Sequence, residues 1–252
     1  FITALSSFGT WAVRAGRISV NPFQRMPKFN VATDQRRPRR AFTPEELSKL
    51  FQAAQDRPLY EARHKETRRK DKSEPIEPAD LTPETIDGLL WLGRVRSLAY
   101  QTMTYTGLRL GELRSITLGQ CHLDHDPPYL ELKAKHEKAK RGAKIPLQRF
   151  LCGALKDYVT DRIKRLSGDC RPLPGAFNSK PLFPIPGKMN GVFNADLIHA
   201  GLATEIEIED AEGNKKKRIQ KTDQQGRSVD VHALRHTFVS MLATSGASMV
   251  AV

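Results

Sequence analysis

The sequence predicts a mainly α-helical domain that carries a small antiparallel β-sheet, the α+β class. Helices are predicted where a Thr-Pro-Glu start signal precedes apolar residues at helical spacing, as at 43–54 and 82–103. A sheet is predicted because the weakly alternating run 129–134 and the short apolar run 143–147 flank a basic connection, which is typical of a hairpin. The 252 residues suffice for one large domain, or for one domain and part of another.

The N-terminal residues predict the end of a separate helical domain. Apolar residues recur at close to helical spacing up to Val13, and Gly16 is suited to end that helix. The composition then shifts to Pro, Asn and Arg, which predicts a basic linker that cannot bury a core. We therefore expect three regions: a helical remnant at 1–24, a linker at 25–41 and a main domain at 42–252.

In the main domain, Thr43 and Thr82 are predicted N-caps of two helices, and the second helix is expected to be long and to end near Gly107. Residues 61–78, which are charged and then contain prolines, predict an exposed loop between them. Further helices are predicted from Phe150 to Ile163, near Asn194–Thr204 and over His232–Ser245, with a Pro- and Gly-rich loop at 171–190.

We assign no structure to the polar region 205–228. Within it, the run Lys215–Arg218 is interpreted as a solvated turn, and a contact with DNA is the less favoured alternative.

The charge of the chain predicts a polyanionic partner. Lys and Arg number 41 against 28 Asp and Glu, a formal charge of +13, which points to nucleic acid or an acidic membrane face. A basic protein without such a partner is the alternative. No run of roughly 18 apolar residues occurs, so no bilayer span is expected. The three cysteines lack metal-ligand spacing, which favours reduced thiols in a cytoplasmic protein.

Two distant segments could together hold one phosphate group. Arg109 follows Gly107, at a predicted helix boundary, and Glu112 one turn later can fix its guanidinium from behind. His232 and Arg235 lie three residues apart on one helical face and can grip the same anion. An ordinary surface ion pair is the alternative for Arg109 and Glu112.

A zinc site is a weaker interpretation of the last helix. His232 and His236 are four residues apart, which suits zinc, but no third ligand cluster is evident. We therefore predict no metal, and for His236 we favour a core histidine bonded to a backbone carbonyl.

These segments, in this order, resemble the tyrosine recombinase (phage integrase) family. Residues 106–113 look like its first box, and residues 232–236 are similar to its second box. The hairpin 135–147 looks like its catalytic-lysine hairpin, in which the Ile-Pro-Leu run favours Lys138 over Lys135 and Lys140 by register. Residues 8–22 resemble the end of the family's helical core-binding domain.

The resemblance implies site-specific recombination through a 3′-phosphotyrosyl intermediate, without a metal or nucleotide cofactor. Arg109, Arg235 and His232 would neutralise the transition state, with Glu112 and His236 in support, and Lys138 would protonate the leaving 5′-oxygen. The implied partner is double-stranded DNA, bound by a homotetramer in the cytoplasm at the nucleoid. The residues expected to contact DNA are Arg36, Arg37, Arg39, Arg40, Lys135, Lys140 and Arg141.

The nucleophile is where the sequence departs from the family pattern. In the family, a Gly-His segment and then the tyrosine follow the second box, whereas all five tyrosines here precede His232. We therefore expect a C-terminally truncated recombinase that binds DNA but does not cleave it alone. The alternatives are a non-catalytic DNA-binding module and a metal-dependent nuclease, which would need an acidic cluster that the basic motifs lack.

Overall fold

The structure is a computed structural model that describes residues 1–27, 38–64, 79–137, 140–168, 170–209 and 213–246. The chain divides into two compact units, Phe1–Pro38 and Arg39–Val252. The described residues are mainly helical and contain a three-stranded and a two-stranded antiparallel sheet, which confirms the predicted class. Within these residues no helix is both long enough and apolar enough to cross a membrane.

The first unit is a single helix with a chain segment folded back onto it. Helix α1 spans Ile2–Arg14, and Gly16 adopts a φ of +65° just beyond it, so the prediction that Gly16 ends this helix is confirmed. The Asn21 amide donates hydrogen bonds to the Ser6 carbonyl at 2.9 Å and to Thr10 Oγ1 at 3.0 Å. Gly9 is required there, because an added Cβ would lie 2.1 Å from Asn21 Oδ1.

Helices α2 (Pro44–Arg63) and α3 (Pro83–Thr106) form the central pair of the second unit. Thr43 Oγ1 accepts a bond from the Glu46 amide at 3.2 Å, and the Glu46 carboxylate accepts one from the Thr43 amide at 2.9 Å. Thr82 caps α3, so both predicted helix starts are confirmed. Helix α2 extends three residues into the predicted loop, and 65–78 lie outside the described residues. The helices approach closely, since a Cβ on Gly93 would stand 1.9 Å from the Gln55 carbonyl oxygen.

The remaining helices of this unit are α4 (Leu110–Ser115), α5 (Arg149–Ser167), α6 (Met189–His199) and α7 (Val231–Thr244). Predictions for α5 and α7 are confirmed to within a few residues. The prediction for α6 is five residues late at both ends. Gly201, with a φ of +69°, follows that helix and stops it before the expected end.

A buried carboxylate joins three of these helices. Asp196 on α6 is fully buried and accepts hydrogen bonds from Arg57 Nε and from the Tyr100 hydroxyl, each at 2.6 Å. Arg96 lies 3.8 Å from the same carboxylate. Burial, and secondarily the charge of Asp196, raise the pKa of Tyr100. Asp196 is therefore the buried counter-charge of two largely buried guanidiniums, and Arg57 also pairs with the exposed Glu61 at 2.8 Å.

Strands β1 (Cys121–His122), β2 (Tyr129–Leu132) and β3 (Ala143–Pro146) form the three-stranded sheet in that order. The predicted hairpin is therefore confirmed, with Leu132 opposite Ala143. Leu130 and Leu132 point into the core and are 0% and 3% exposed. Strand β1 was not predicted, because a two-residue strand has no periodicity to read.

The second hairpin corrects the interpretation of region 205–228. Strand β4 (Thr204–Glu209) pairs with β5 (Lys215–Gln220), so the run Lys215–Arg218 is strand and the prediction of a solvated turn is wrong. Glu207 lies opposite Lys217 and Glu209 opposite Lys215, and opposite charges at such positions stabilise strand pairing. Strand β4 does carry a strand signal that the sequence prediction missed, because residues 205–209 alternate Glu and Ile, whereas the basic strand β5 has no such alternation.

Candidate active site

The end of α3 and the face of α7 meet at Gly107. This residue has a φ of +67°, and an added Cβ would stand 2.3 Å from Phe238 Cδ1 on α7. Both the left-handed conformation and the close approach require glycine. The turn that precedes Arg109 is therefore packed directly against α7.

Glu112 holds Arg109 at two points. One carboxylate oxygen accepts a bond from Arg109 Nη1 and the other from the Arg109 backbone amide, both at 2.8 Å. The Glu112 side chain is 7% exposed and that of Arg109 is 42% exposed. A surface ion pair does not describe this arrangement, because the acid is buried and only the arginine reaches solvent. The free edge of the guanidinium is available to an anion.

Arg235 stands beside Arg109 and is held by backbone. Its Nη1 donates a hydrogen bond to the Gly107 carbonyl oxygen. Burial lowers the pKa of Arg235, and the charge of Arg109 lowers that pKa further, while Glu112 opposes the change. Two guanidiniums with one nearby carboxylate leave excess positive charge, which a bound anion would neutralise.

These side chains line a cleft of about 580 Å³, together with the Tyr105–Leu108 segment, Glu137 and Lys144. A smaller cavity of about 340 Å³ adjoins it and shares Arg109 and Arg235. His232 and His236 line this second cavity. The structure thus brings Arg109, Glu112, His232 and Arg235 together around two cavities that share lining residues.

The interpretation of His236 as a core histidine is wrong. Both His232 and His236 are exposed, whereas Ala233, Leu234 and Thr237 form the buried side of α7. Since helical neighbours lie three or four residues apart, His236 shares the cavity side with His232 rather than the core side.

The assignment of Lys138 as the catalytic lysine stays a prediction, because Lys138 lies outside the described residues. Lys135, Lys140 and Arg141 are exposed on the connection between β2 and β3. The Arg141 backbone amide donates to Glu137 Oε2 at 3.0 Å. Their contact with DNA stays a prediction.

The basic linker residues divide into two groups. Arg36 and Arg37 lie outside the described residues, whereas Arg39 and Arg40 are paired with acids. Arg39 Nε contacts Asp230, the N-cap of α7, at 2.7 Å. Arg40 makes two 2.6 Å bonds to Glu46. Both arginines are therefore paired with acids of the second unit, to which they belong, and a role in DNA contact stays a prediction.

Tyr105, Glu137 and Phe238 line the cleft but were not singled out from the sequence. The sequence offered one signal for them, which is that each lies within four residues of a predicted site residue. Within the described ranges, no group of three or more His, Cys, Asp or Glu residues is placed to hold a metal ion.

Comparison with known proteins gives a family match. The model of the phage integrase family matches residues 93–252. No curated protein matches the sequence significantly.

Three solved structures are similar at low sequence identity. The XerH site-specific recombinase bound to palindromic difH substrate, a post-cleavage complex, is 14% identical, with a TM-score of 0.45 over 84% of this chain and 44% of that one. The XerA recombinase is 15% identical, with a TM-score of 0.45, and the match covers 98% of this chain and 61% of that one. The Tn1549 transposon integrase (residues 82–397) in complex with circular intermediate DNA is 17% identical, with a TM-score of 0.49. The match covers 99% of this chain and 67% of that one. This chain spans less than two thirds of the length of the first two proteins.

Proposed function

Because the chain belongs to the phage integrase family, we propose that it binds double-stranded DNA and provides the phosphate-binding part of a site-specific recombination site. The observation that carries this proposal is the pair of arginines in one cleft. Arg109 is fixed by the buried Glu112, and Arg235 is fixed by the Gly107 carbonyl. Each retains donors that can reach a phosphate oxygen.

The chemistry proposed for this cleft is strand cleavage by transesterification. A tyrosine hydroxyl attacks the phosphorus, the bond to the 5′-oxygen breaks, and a 3′-phosphotyrosyl ester and a 5′-hydroxyl result. Arg109, Arg235 and His232 would stabilise the added negative charge of the phosphorane, and Lys138 would give a proton to the leaving oxygen. The ester conserves the energy of the phosphodiester, so rejoining needs no external source.

We further propose that none of the five tyrosines is the nucleophile. Tyr100 and Tyr158 are buried and donate to Asp196 and to the Leu182 carbonyl. Tyr105 lines the cleft, but its ring packs edge-on against Phe150 with centroids 4.8 Å apart. The chain would then bind DNA without cleaving it, and a tyrosine from outside these residues would complete the site. The complete assembly would be a homotetramer on two duplexes.

The test begins with selection of duplexes from a random-sequence pool. The site recovered is then offered as a nicked suicide substrate. We expect one enriched site and no covalent adduct. Added hydroperoxide, a small nucleophile that can take the place of the tyrosine hydroxyl, should cleave one phosphodiester of that site. Arg109→Ala should abolish this cleavage, and Arg171→Ala, an exposed arginine on the loop before α6, should retain it.

Other outcomes separate the alternatives. An adduct formed by the unmodified chain, and lost in Tyr105→Phe, would make Tyr105 the nucleophile. Enrichment of a site with no cleavage under hydroperoxide would favour the non-catalytic DNA-binding module. Cleavage that a chelator abolishes would support the metal-dependent nuclease.

A further inference from the structure

The outer face of the three-stranded sheet carries a cluster that the catalytic chemistry does not use. Leu130 and Leu132 of β2 point into the core, so the alternating Tyr129 and Glu131 face outward. The strand register places His122 opposite Tyr129 and Lys144 opposite Glu131. These four side chains therefore share one exposed surface.

Aromatic stacking gives this cluster a fixed centre. The His122 ring lies nearly parallel to the Tyr129 ring, with centroids 4.4 Å apart and an angle of 20°. His125 meets the same tyrosine edge-on at 5.4 Å. Packing against two rings restricts the rotation of Tyr129, so it forms a defined platform for a neighbouring cation.

Lys144 is the cation that this platform holds. Its Nζ lies 5.0 Å from the centroid of the Tyr129 ring, within the range of a cation–π interaction. The opposite acid, Glu131, is engaged elsewhere, since its carboxylate lies 3.3 Å from His122 Nε2. Among the described residues no carboxylate pairs with Lys144. The ring therefore positions the ammonium without neutralising it.

Lys144 also connects this surface to the cleft. It lines the same cleft as Arg109 and Arg235, at the β3 wall. A strand of DNA that places one phosphate on the two arginines would extend over this wall. The lysine is exposed there.

We propose that Tyr129 and Lys144 form a second phosphate subsite, at which Lys144 binds the backbone of the DNA strand whose neighbouring phosphate lies on Arg109 and Arg235. The inference rests on the proposed function, because it assumes DNA in the cleft. Lys144 is the binding residue and Tyr129 is the positioning residue. An ammonium binds phosphate as a point charge, so the contact is independent of base sequence.

The test uses the 252-residue chain and a short duplex of mixed sequence, with binding measured by fluorescence anisotropy at several salt concentrations. Loss of one phosphate contact should reduce the slope of log K against log salt by about 0.9. We expect this change in Lys144→Gln, together with roughly tenfold weaker binding at low salt. Lys164→Gln, an exposed lysine on α5 away from the cleft, should match the unmodified chain.

Tyr129 variants test the positioning role. Tyr129→Phe keeps a ring beneath the ammonium and should bind as the unmodified chain does, whereas Tyr129→Leu should weaken binding about threefold, as expected for loss of an exposed cation–π contact. In the Lys144→Gln background, Tyr129→Leu should have no additional effect. Equal slopes for Lys144→Gln and Lys164→Gln would overturn the subsite. Absence of salt-dependent binding by the unmodified chain would instead overturn the proposed function.

Discussion

Arg235 donates a hydrogen bond to the backbone carbonyl oxygen of Gly107, the residue that ends α3. Arg109 follows only two residues later, and Glu112 fixes it from the first turn of α4. One backbone turn therefore sets the positions of both arginines. The spacing of the two guanidiniums depends on this turn and on the packing of α7 against it.

Arg235→Lys tests whether this geometry matters beyond charge. Lysine keeps the positive charge but lacks the planar fork that can bond the Gly107 carbonyl and a phosphate together. We expect duplex binding within a few-fold of the unmodified chain. Hydroperoxide-assisted cleavage of the selected site should fall by about two to three orders of magnitude, as for loss of one preorganised donor. Unchanged cleavage would mean that only charge is needed.

Gly107→Ala should destabilise the second unit. Alanine disfavours the left-handed conformation, and its Cβ would stand 2.3 Å from Phe238. We expect the free energy of unfolding, measured in urea, to fall by about 2 kcal/mol or more. Gly111→Ala is the matched control, since this glycine lies inside α4 with open space around its Cβ position. It should be neutral or stabilise the protein by up to about 1 kcal/mol. Equal effects of the two variants would contradict this account.

Local sequence signals predicted the elements that begin or end with strong caps. Thr43 and Thr82 each stand at the start of a helix, and Gly107 stands at the end of one, as predicted. The same reasoning failed for β5, because its run of cations has no apolar alternation and it pairs instead with the acidic strand β4, at positions six to sixteen residues apart. Propensity and periodicity describe single segments and do not record such cross-strand partners.

The site was partly predictable for a similar reason. Arg109 with Glu112, and His232 with Arg235, are close in sequence, so helical spacing was informative. The exposure of His236 was not predictable, because it depends on which side of α7 the core covers. Neither was the pairing of Arg39 with Asp230, which joins residues 191 positions apart. Long-range contacts of this kind require the fold.

Asp196→Asn should cost more stability than any change at the surface. The variant keeps the size of the side chain but removes the charge that balances Arg57 and Arg96. Leaving a buried charge without its partner costs about 3–5 kcal/mol. Glu61→Gln is the control, because Glu61 also pairs with Arg57 but is 57% exposed, and its loss should cost less than about 1 kcal/mol. Urea unfolding of both variants at neutral pH measures the difference, and similar losses would show that Asp196 is not the main counter-charge.

Alkaline pH should weaken the fold through the half-buried Cys121 and the buried Tyr158. Burial raises the pKa of the Cys121 thiol to about 12, and it raises the pKa of the Tyr158 hydroxyl to about 12. In the unfolded chain these groups ionise with pKa values of about 8.5 and about 10. Between those values and pH 12 the unfolded state therefore holds fewer protons than the folded state, so the free energy of unfolding falls as pH rises.

Urea unfolding at several pH values from about 8 to 11 measures this fall, and Cys121→Ala should make it shallower because one of the two groups is removed. The same burial protects the thiol. A thiol reagent at about pH 8 should modify the exposed Cys170 quickly and the half-buried Cys121 slowly, and it should reach the buried Cys152 only after unfolding. Rapid modification of Cys121 in the folded protein, or stability that stays constant up to about pH 11, would contradict the raised pKa of that thiol.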